Sequence, residues 1–292
     1  MAKNKIQFQR GLSLTQFFSK YGTEQQCRDT LFRFRWPHGF RCQQCGHHGY
    51  CEIRSRKVYQ CNRCHFQTSV TGNTIFASTK LALKTWFLGI YLVTQSKDGI
   101  SSLNLARTLG ISANAALRMK HKLQQAMKEH DDNIPLQNLV LIDDAYWGGK
   151  KRDGKRGRGA TGKMPFVAAL QISSEGHPLY MKLSHLTGFS KTEISAWSLK
   201  HLEPQTLVAS DGLSCFPGVA EAECVHEPIV TNGPEYDEFK VFTWLNTVIG
   251  NVKKSIHGTY HSVSKKHLPR YLAEFCYRFN RRFQLGDMVK KL

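Results

Sequence analysis

Leu139-Val140-Leu141-Ile142-Asp143-Asp144 runs directly into Ala145-Tyr146-Trp147-Gly148-Gly149. Four consecutive apolar residues followed by a Gly turn predict a buried central strand. That strand ends on two carboxylates, and an acidic pair beside a core is costly unless positive charge offsets it. A second apolar run, Thr206-Leu207-Val208-Ala209-Ser210, delivers Asp211 to the same kind of position just before Gly212. Two strand-end carboxylates facing one cleft repel each other, and a divalent cation between them removes the repulsion. Taken singly, either aspartate also suits an ordinary turn after a strand, so the surrounding chain has to decide.

Immediately downstream, the segment from Lys150 to Lys163 holds seven basic residues and one acid on a Gly-rich backbone. Its place between the first two strands of an acidic site makes Lys155, Arg156 and Arg158 candidate phosphate contacts. Phe166 to Ser173 and Leu179 to Leu186 read as a strand pair, Lys191 to Leu202 as an amphipathic helix, and Cys224 to Val230 as a further strand. Strands followed by a helix and more strand suit an α/β fold, a mixed sheet with helices on its faces. Phe239 to Ile256 reads as a helix carrying Asn246 and Asn251. Asparagine is a mediocre helix former, so each asks for a role or a solvent-facing position. Beyond it, Lys253 to Lys291 has ten Lys or Arg against Glu274 and Asp287. Lys253 and Lys254 are candidate DNA contacts there.

Upstream, Ser101 to Leu109, the turn Gly110-Ile111-Ser112 and a basic helix from Ala113 to about Glu129 have the pattern of a helix-turn-helix with Ser112 as N-cap. Such a unit lays its second helix in the DNA major groove, and that helix offers Arg118, Lys120 and Lys122. A plain helical packing unit with a solvated basic face is the competing reading. Earlier still, Cys42-Gln43-Gln44-Cys45 and Cys61-Asn62-Arg63-Cys64 are separated by 15 residues. Two such knuckles around a predicted hairpin fit four thiolates on a tetrahedral, structural zinc ion. Cys51, His47, His48 and His65 lie close enough to be substitute ligands. Residues before Arg35 predict two short helices.

The balance of 41 Lys and Arg against 22 Asp and Glu gives a net charge of +19, which favours a polyanionic partner, nucleic acid first. An anionic membrane is the alternative partner, but no apolar run approaches the roughly 18 residues that a spanning helix needs. The first residues lack a signal peptide's apolar core. A cytoplasmic, nucleoid-associated protein is therefore expected, and nine cysteines in a reducing compartment point to metal rather than disulfides.

Three motifs together resemble one family. Arg35-Trp36-Pro37-His38-Gly39-Phe40-Arg41-Cys42 leads into the knuckles; Asp143-Asp144-Ala145-Tyr146-Trp147-Gly148-Gly149-Lys150 forms the acidic strand; Gly258-Thr259-Tyr260-His261 precedes Arg270-Tyr271-Leu272-Ala273-Glu274-Phe275 and Arg278-Phe279-Asn280. These are similar to the zinc-ribbon insertion-sequence transposases of the ISXO-two-like group. The resemblance implies a ribonuclease-H-like catalytic domain in which an Asp, Asp, Glu or Asp, Asp, Asn triad holds two magnesium ions, with manganese as a substitute. Asp143 matches the first position and Asp211 the second. Asn246 stands where many relatives carry Glu, 35 positions beyond Asp211; Asn251 and Glu274 are the other candidates for the third ligand. The domain order expected is a helical leader over 1–35, a zinc ribbon over 36–72, a helix-turn-helix over 73–133 and the catalytic domain over 134–292. The partners implied are transposon ends and target DNA, with a homodimer or larger assembly, since two ends must be held together. A non-catalytic DNA-binding regulator and a structure-selective nuclease on the same fold are the rival functions. The first needs no metal at Asp143 and Asp211; the second cleaves but never joins.

Overall fold

The computed structural model describes residues 11–148, 162–229 and 241–292. They form two compact units. One comprises the described residues to Gln95 together with Ser102–Leu123 and Leu285–Leu292; the other comprises Ser96–Ser101 and Gln124–Gln284.

The first unit begins with helices α1 (Leu14–Tyr21) and α2 (Glu24–Arg35). Each starts at a capping box: Ser13 with Gln16, and Thr23 with Gln26, exchange side-chain and backbone hydrogen bonds that satisfy first-turn donors. A small three-stranded sheet follows: β1 (Tyr50–Ile53), β2 (Val58–Cys61) and β3 (Gln67–Thr68), in that order. It packs on α2 through the rings of Phe32, Trp36, Phe40, Tyr50 and Tyr59, whose centroids lie 4.8–5.8 Å apart. Helices α3 (Leu83–Gln95), α4 (Ser102–Leu109) and α5 (Ala113–Asp132) come next, α5 giving residues to both units. Gly110 takes the left-handed conformation (φ 65°) at the end of α4, and Ser112 Oγ accepts from the Ala115 amide at 3.2 Å. The expected helix, turn and N-capped helix are all present.

The second unit is built on a five-stranded mixed sheet of β4 (Leu139–Trp147), β5 (Met164–Ile172), β6 (Pro178–His185), β7 (Leu207–Ser210) and β8 (Val225–Pro228). Their spatial order is β6-β5-β4-β7-β8. The first three are joined antiparallel, while β7 runs parallel to β4 and β8 parallel to β7. With α6 (Lys191–His201), α7 (Thr243–Tyr260) and α8 (Leu268–Asn280) as its flanking helices, this is the ribonuclease-H-like α/β fold that the sequence resemblance implies. Alternation along β4 divides the core in two. Leu141 and Ala145 face the side packed by Leu245, Val248, Ile249 and Val252 of α7 and Leu272 and Cys276 of α8. Val140 and Ile142 face Ile194 and Trp197 of α6.

One boundary differs from the sequence expectation. Strand β4 does not stop at Asp144 but runs on to Trp147, because β5 continues to pair with it through Ala145↔Phe166, Tyr146↔Pro165 and Trp147↔Met164. The parallel ladder to β7 does stop, at Ile142↔Ser210. Asp143 is thus interior to the antiparallel ladder and the first residue past the parallel one.

Candidate metal centres and nucleic-acid contacts

The two cysteine knuckles are built alike. In one, the Gly46 amide donates to Cys42 O at 2.9 Å and the Cys42 amide to His47 O at 2.9 Å; in the other, the His65 amide donates to Cys61 O and the Cys61 amide to Phe66 O, both at 3.0 Å. Each turn needs a left-handed residue after its second cysteine, supplied by Gly46 (φ 71°) and His65 (φ 58°). The repetition brings Cys42 Sγ to 3.5 Å from Cys64 Sγ and Cys45 Sγ to 3.6 Å from Cys61 Sγ, and all four sulfurs lie within 4.8 Å of one another. A tetrahedron with Zn–S bonds of about 2.3 Å has edges of about 3.8 Å, so this donor set fits structural zinc.

The protonation pattern agrees with that fit. Burial pushes the Cys61 thiol up, but the amides of Cys64 and Arg63 outweigh it and bring the group down to about 7. The Phe66 amide lowers Cys64, yet burial and its bonds to Cys45, Cys42 and Cys61 push it up to about 12. Four thiols this close cannot all ionise unless a cation replaces their protons. The substitute ligands are elsewhere: His48 Nδ1 lies 3.2 Å from Phe40 O, His65 Nδ1 lies 3.5 Å from Gln60 Nε2, and Cys51 is exposed on β1.

In the sheet unit, one carboxylate oxygen each from Asp143, Asp144 and Asp211 come within 4.8 Å of one another. The parallel register explains this convergence, since one step beyond Ile142↔Ser210 sets Asp143 opposite Asp211. Backbone donors orient two of the three: the Asp144 amide gives a 2.7 Å hydrogen bond to Asp143 Oδ1, and the Leu213 amide a 3.1 Å bond to Asp211 Oδ1. Gly212, at φ 81°, makes the turn that follows Asp211. The sequence alone points to Asp143 and Asp211 as the paired carboxylates, with Asp144 beside them. The structure brings Asp144 into the cluster as well, although alternation starts its side chain on the other face of β4.

Asn246 is exposed on α7. It lies about 100° around the helix from Leu245, whose stripe packs on the same sheet face as Asp143's neighbours Leu141 and Ala145. Asn251 is also exposed. Glu274 is excluded as a metal ligand: it is 1% exposed and accepts hydrogen bonds from Gln124 Nε2 at 2.6 Å, Tyr260 Oη at 2.7 Å and the Arg278 guanidinium. Its charge is consumed inside the protein.

Among the candidate DNA contacts, Arg118 and Lys254 are exposed and Lys253 is half-buried. Lys122 is exposed, but its ammonium donates to the carbonyls of Ile75 and Ala77 at 3.1 and 3.4 Å. Lys120 is a correction: it is fully buried and presents nothing to a phosphate. Helical periodicity accounts for this, since Ala116, Met119, Leu123 and Met127 are the buried stripe of α5 and position 120 falls within it. Lys155, Arg156 and Arg158 lie outside the described residues. Among those residues, no helix is long and apolar enough to cross a membrane.

Comparison with known proteins gives two family matches. Residues 135–280, half of the chain, match the ISXO2-like transposase domain, and residues 22–67 match a transposase zinc-ribbon domain. A protein of Halobacterium salinarum described as an uncharacterised protein in transposable element ISH50 is 24% identical over 273 residues, covering 87% of this chain and 90% of that one. A solved pre-cleavage Mos1 transpososome aligns over 68% of this chain and 77% of its own at 8% identity, with a TM-score of 0.23. That overlay is too loose to support a conclusion.

Proposed function

The chain belongs to the ISXO2-like transposase family, and from that premise we propose that it binds the ends of its own insertion sequence and cuts and joins DNA there. The observation that supports this most is the convergence of Asp143, Asp144 and Asp211 at the end of the β4–β7 parallel ladder. A transposase domain of this type implies a divalent metal such as magnesium, and a set of hard carboxylate oxygens suits it. A pair of such ions, when bound, supplies positive charge at the scissile phosphate and acidifies the attacking hydroxyl.

The protein's own contribution is to hold and orient. Asp143, Asp211 and Asn246 would hold the ions. Asn246 is on the helix that packs over Asp143's side of the sheet, and its amide oxygen would offer a hard ligand without adding charge. Asp144 adds negative potential at the same point. No protein nucleophile is needed: water cleaves the end to leave a 3′-hydroxyl, and that hydroxyl then attacks the target strand. The zinc ribbon and helix-turn-helix hold the DNA end, with Arg118, Lys253, Lys254 and the loop cations Lys155, Arg156 and Arg158 contacting phosphates. Pairing of two ends calls for at least a dimer on DNA.

Incubation with a duplex carrying the element's terminal inverted repeat, in magnesium, tests this directly. Cleavage followed by strand transfer is expected, both lost in Asp143→Asn with end binding retained. Cleavage without any joined product would instead identify a nuclease. Binding without cleavage would identify a regulator.

A further inference from the structure

A groove of about 1200 Å³ lies between the β1–β2 turn and the start of α3, within the first unit. Six cations and two carboxylates line it. Both carboxylates are already committed: Glu24 accepts from the Leu83 and Lys84 amides at 2.9 and 3.1 Å, capping α3, and Glu52 pairs with Arg28 at 3.3 Å. Arg28 is thereby neutralised, and its guanidinium also lies over the Tyr59 ring. Arg54, Arg56 and Lys57 on one wall, and Lys80 and Lys84 on the other, are all exposed and have no ion-pair partner among the described residues. Five like charges gathered with no counter-charge repel one another, and a polyanion laid along both walls relieves them all at once.

The turn itself carries a second sign. Lys57 adopts φ 54°, a left-handed conformation that Gly or Asn takes with less strain. A sequence shaped only for the turn would place one of those there, so lysine at this point costs conformational energy and supplies charge. The rest of the lining is Gln25, Ser, Thr and aliphatic residues, with no aromatic ring among the described residues. Single strands are gripped mainly by stacking on aromatics, which this groove lacks, and its one amide, Gln25, is committed to Asp29 Oδ1 at 2.7 Å.

Resting on the reading that this protein acts on DNA, we propose that the groove seats the phosphate backbone of duplex DNA and contributes affinity without sequence preference. It positions the end, while base reading falls to α5.

The test is binding by fluorescence anisotropy across a salt series, using a duplex with the terminal inverted repeat and a scrambled duplex of equal length. The variant is Arg54→Gln/Arg56→Gln/Lys57→Asn/Lys80→Gln/Lys84→Gln, all at exposed positions, with zinc content measured as the check on folding. The slope of log K against log salt should fall by about 0.9 for each phosphate that the variant no longer neutralises. The fold-loss of affinity should be equal on the two duplexes, leaving their ratio unchanged. Arg54→Lys/Arg56→Lys/Lys80→Arg/Lys84→Arg keeps the charge and should keep the slope. An unaltered slope in the neutralised variant overturns the proposal, as does a loss confined to the inverted repeat. If wild type binds and cleaves while that slope is unaltered, the groove alone is wrong. If wild type binds neither duplex, the reading of the protein as DNA-acting falls with it.

Discussion

Glu274→Ala should unfold the sheet unit far more readily without touching its chemistry. Glu274 is 1% exposed and its partner Arg278 has only 8% of its side chain exposed. Truncation leaves a buried guanidinium with no counter-charge, which costs about 3–5 kcal/mol. Gln124 and Tyr260 also lose their acceptor. Against a typical stability of about 5–15 kcal/mol, that is a large fraction. With a urea m-value of about 2 kcal/mol per molar, the midpoint should drop by about 1.5–2.5 M. The assay is urea unfolding of metal-free protein followed by far-UV circular dichroism, beside Glu274→Gln, which keeps one acceptor oxygen and should lose less. A metal-ligating Glu274 would behave in the opposite way, with apo stability unchanged or raised by relief of repulsion and magnesium-dependent cleavage abolished. An unchanged midpoint in Glu274→Ala would refute the reasoning.

Cys61→Ser should lose the ribbon's zinc and shift the first unit's melting, whereas Cys51→Ser should retain about one zinc per chain; full metal content in the Cys61 variant by atomic absorption would remove the assignment. Asn246→Ala should abolish cleavage with end binding intact, Asn246→Asp should keep part of it at lower magnesium, and Asn251→Ala should do little. A dead Asn251→Ala beside an active Asn246→Ala would move the third ligand to Asn251. His201, 5% exposed at the end of α6, is held at about 3, first by burial and then by Lys182. Its folded pKa is below the ordinary 6.5, so the unfolded chain takes up a proton first. Stability is therefore full above pH 6.5 and falls by up to about 1.4 kcal/mol per unit as pH drops toward 3. His201→Leu should show a flatter acid limb in pH-dependent denaturation, and an identical limb would count against this account.

What the sequence determined by itself is local. The knuckle spacing fixes the sulfur cluster because each Cys-x-x-Cys turn is closed by bonds within five residues, and β4, β7 and most helices follow from apolar period and caps. Lys120 was legible too, since its place in the stripe with Ala116 and Leu123 is a matter of counting turns. Only the tertiary structure decided the rest. Asp144 joins Asp143 and Asp211 because β7 pairs with β4 across more than sixty intervening residues, and nothing in either strand encodes that register alone. Glu274 reads on paper as a spare carboxylate in a basic tail, yet Gln124, Tyr260 and Arg278 converge on it from three helices. The groove beside the ribbon likewise exists only because α3 and the β1–β2 turn fold to face one another. A carboxylate's role is set by the charges and donors within a few ångströms of it, and for these residues those neighbours come from distant parts of the chain.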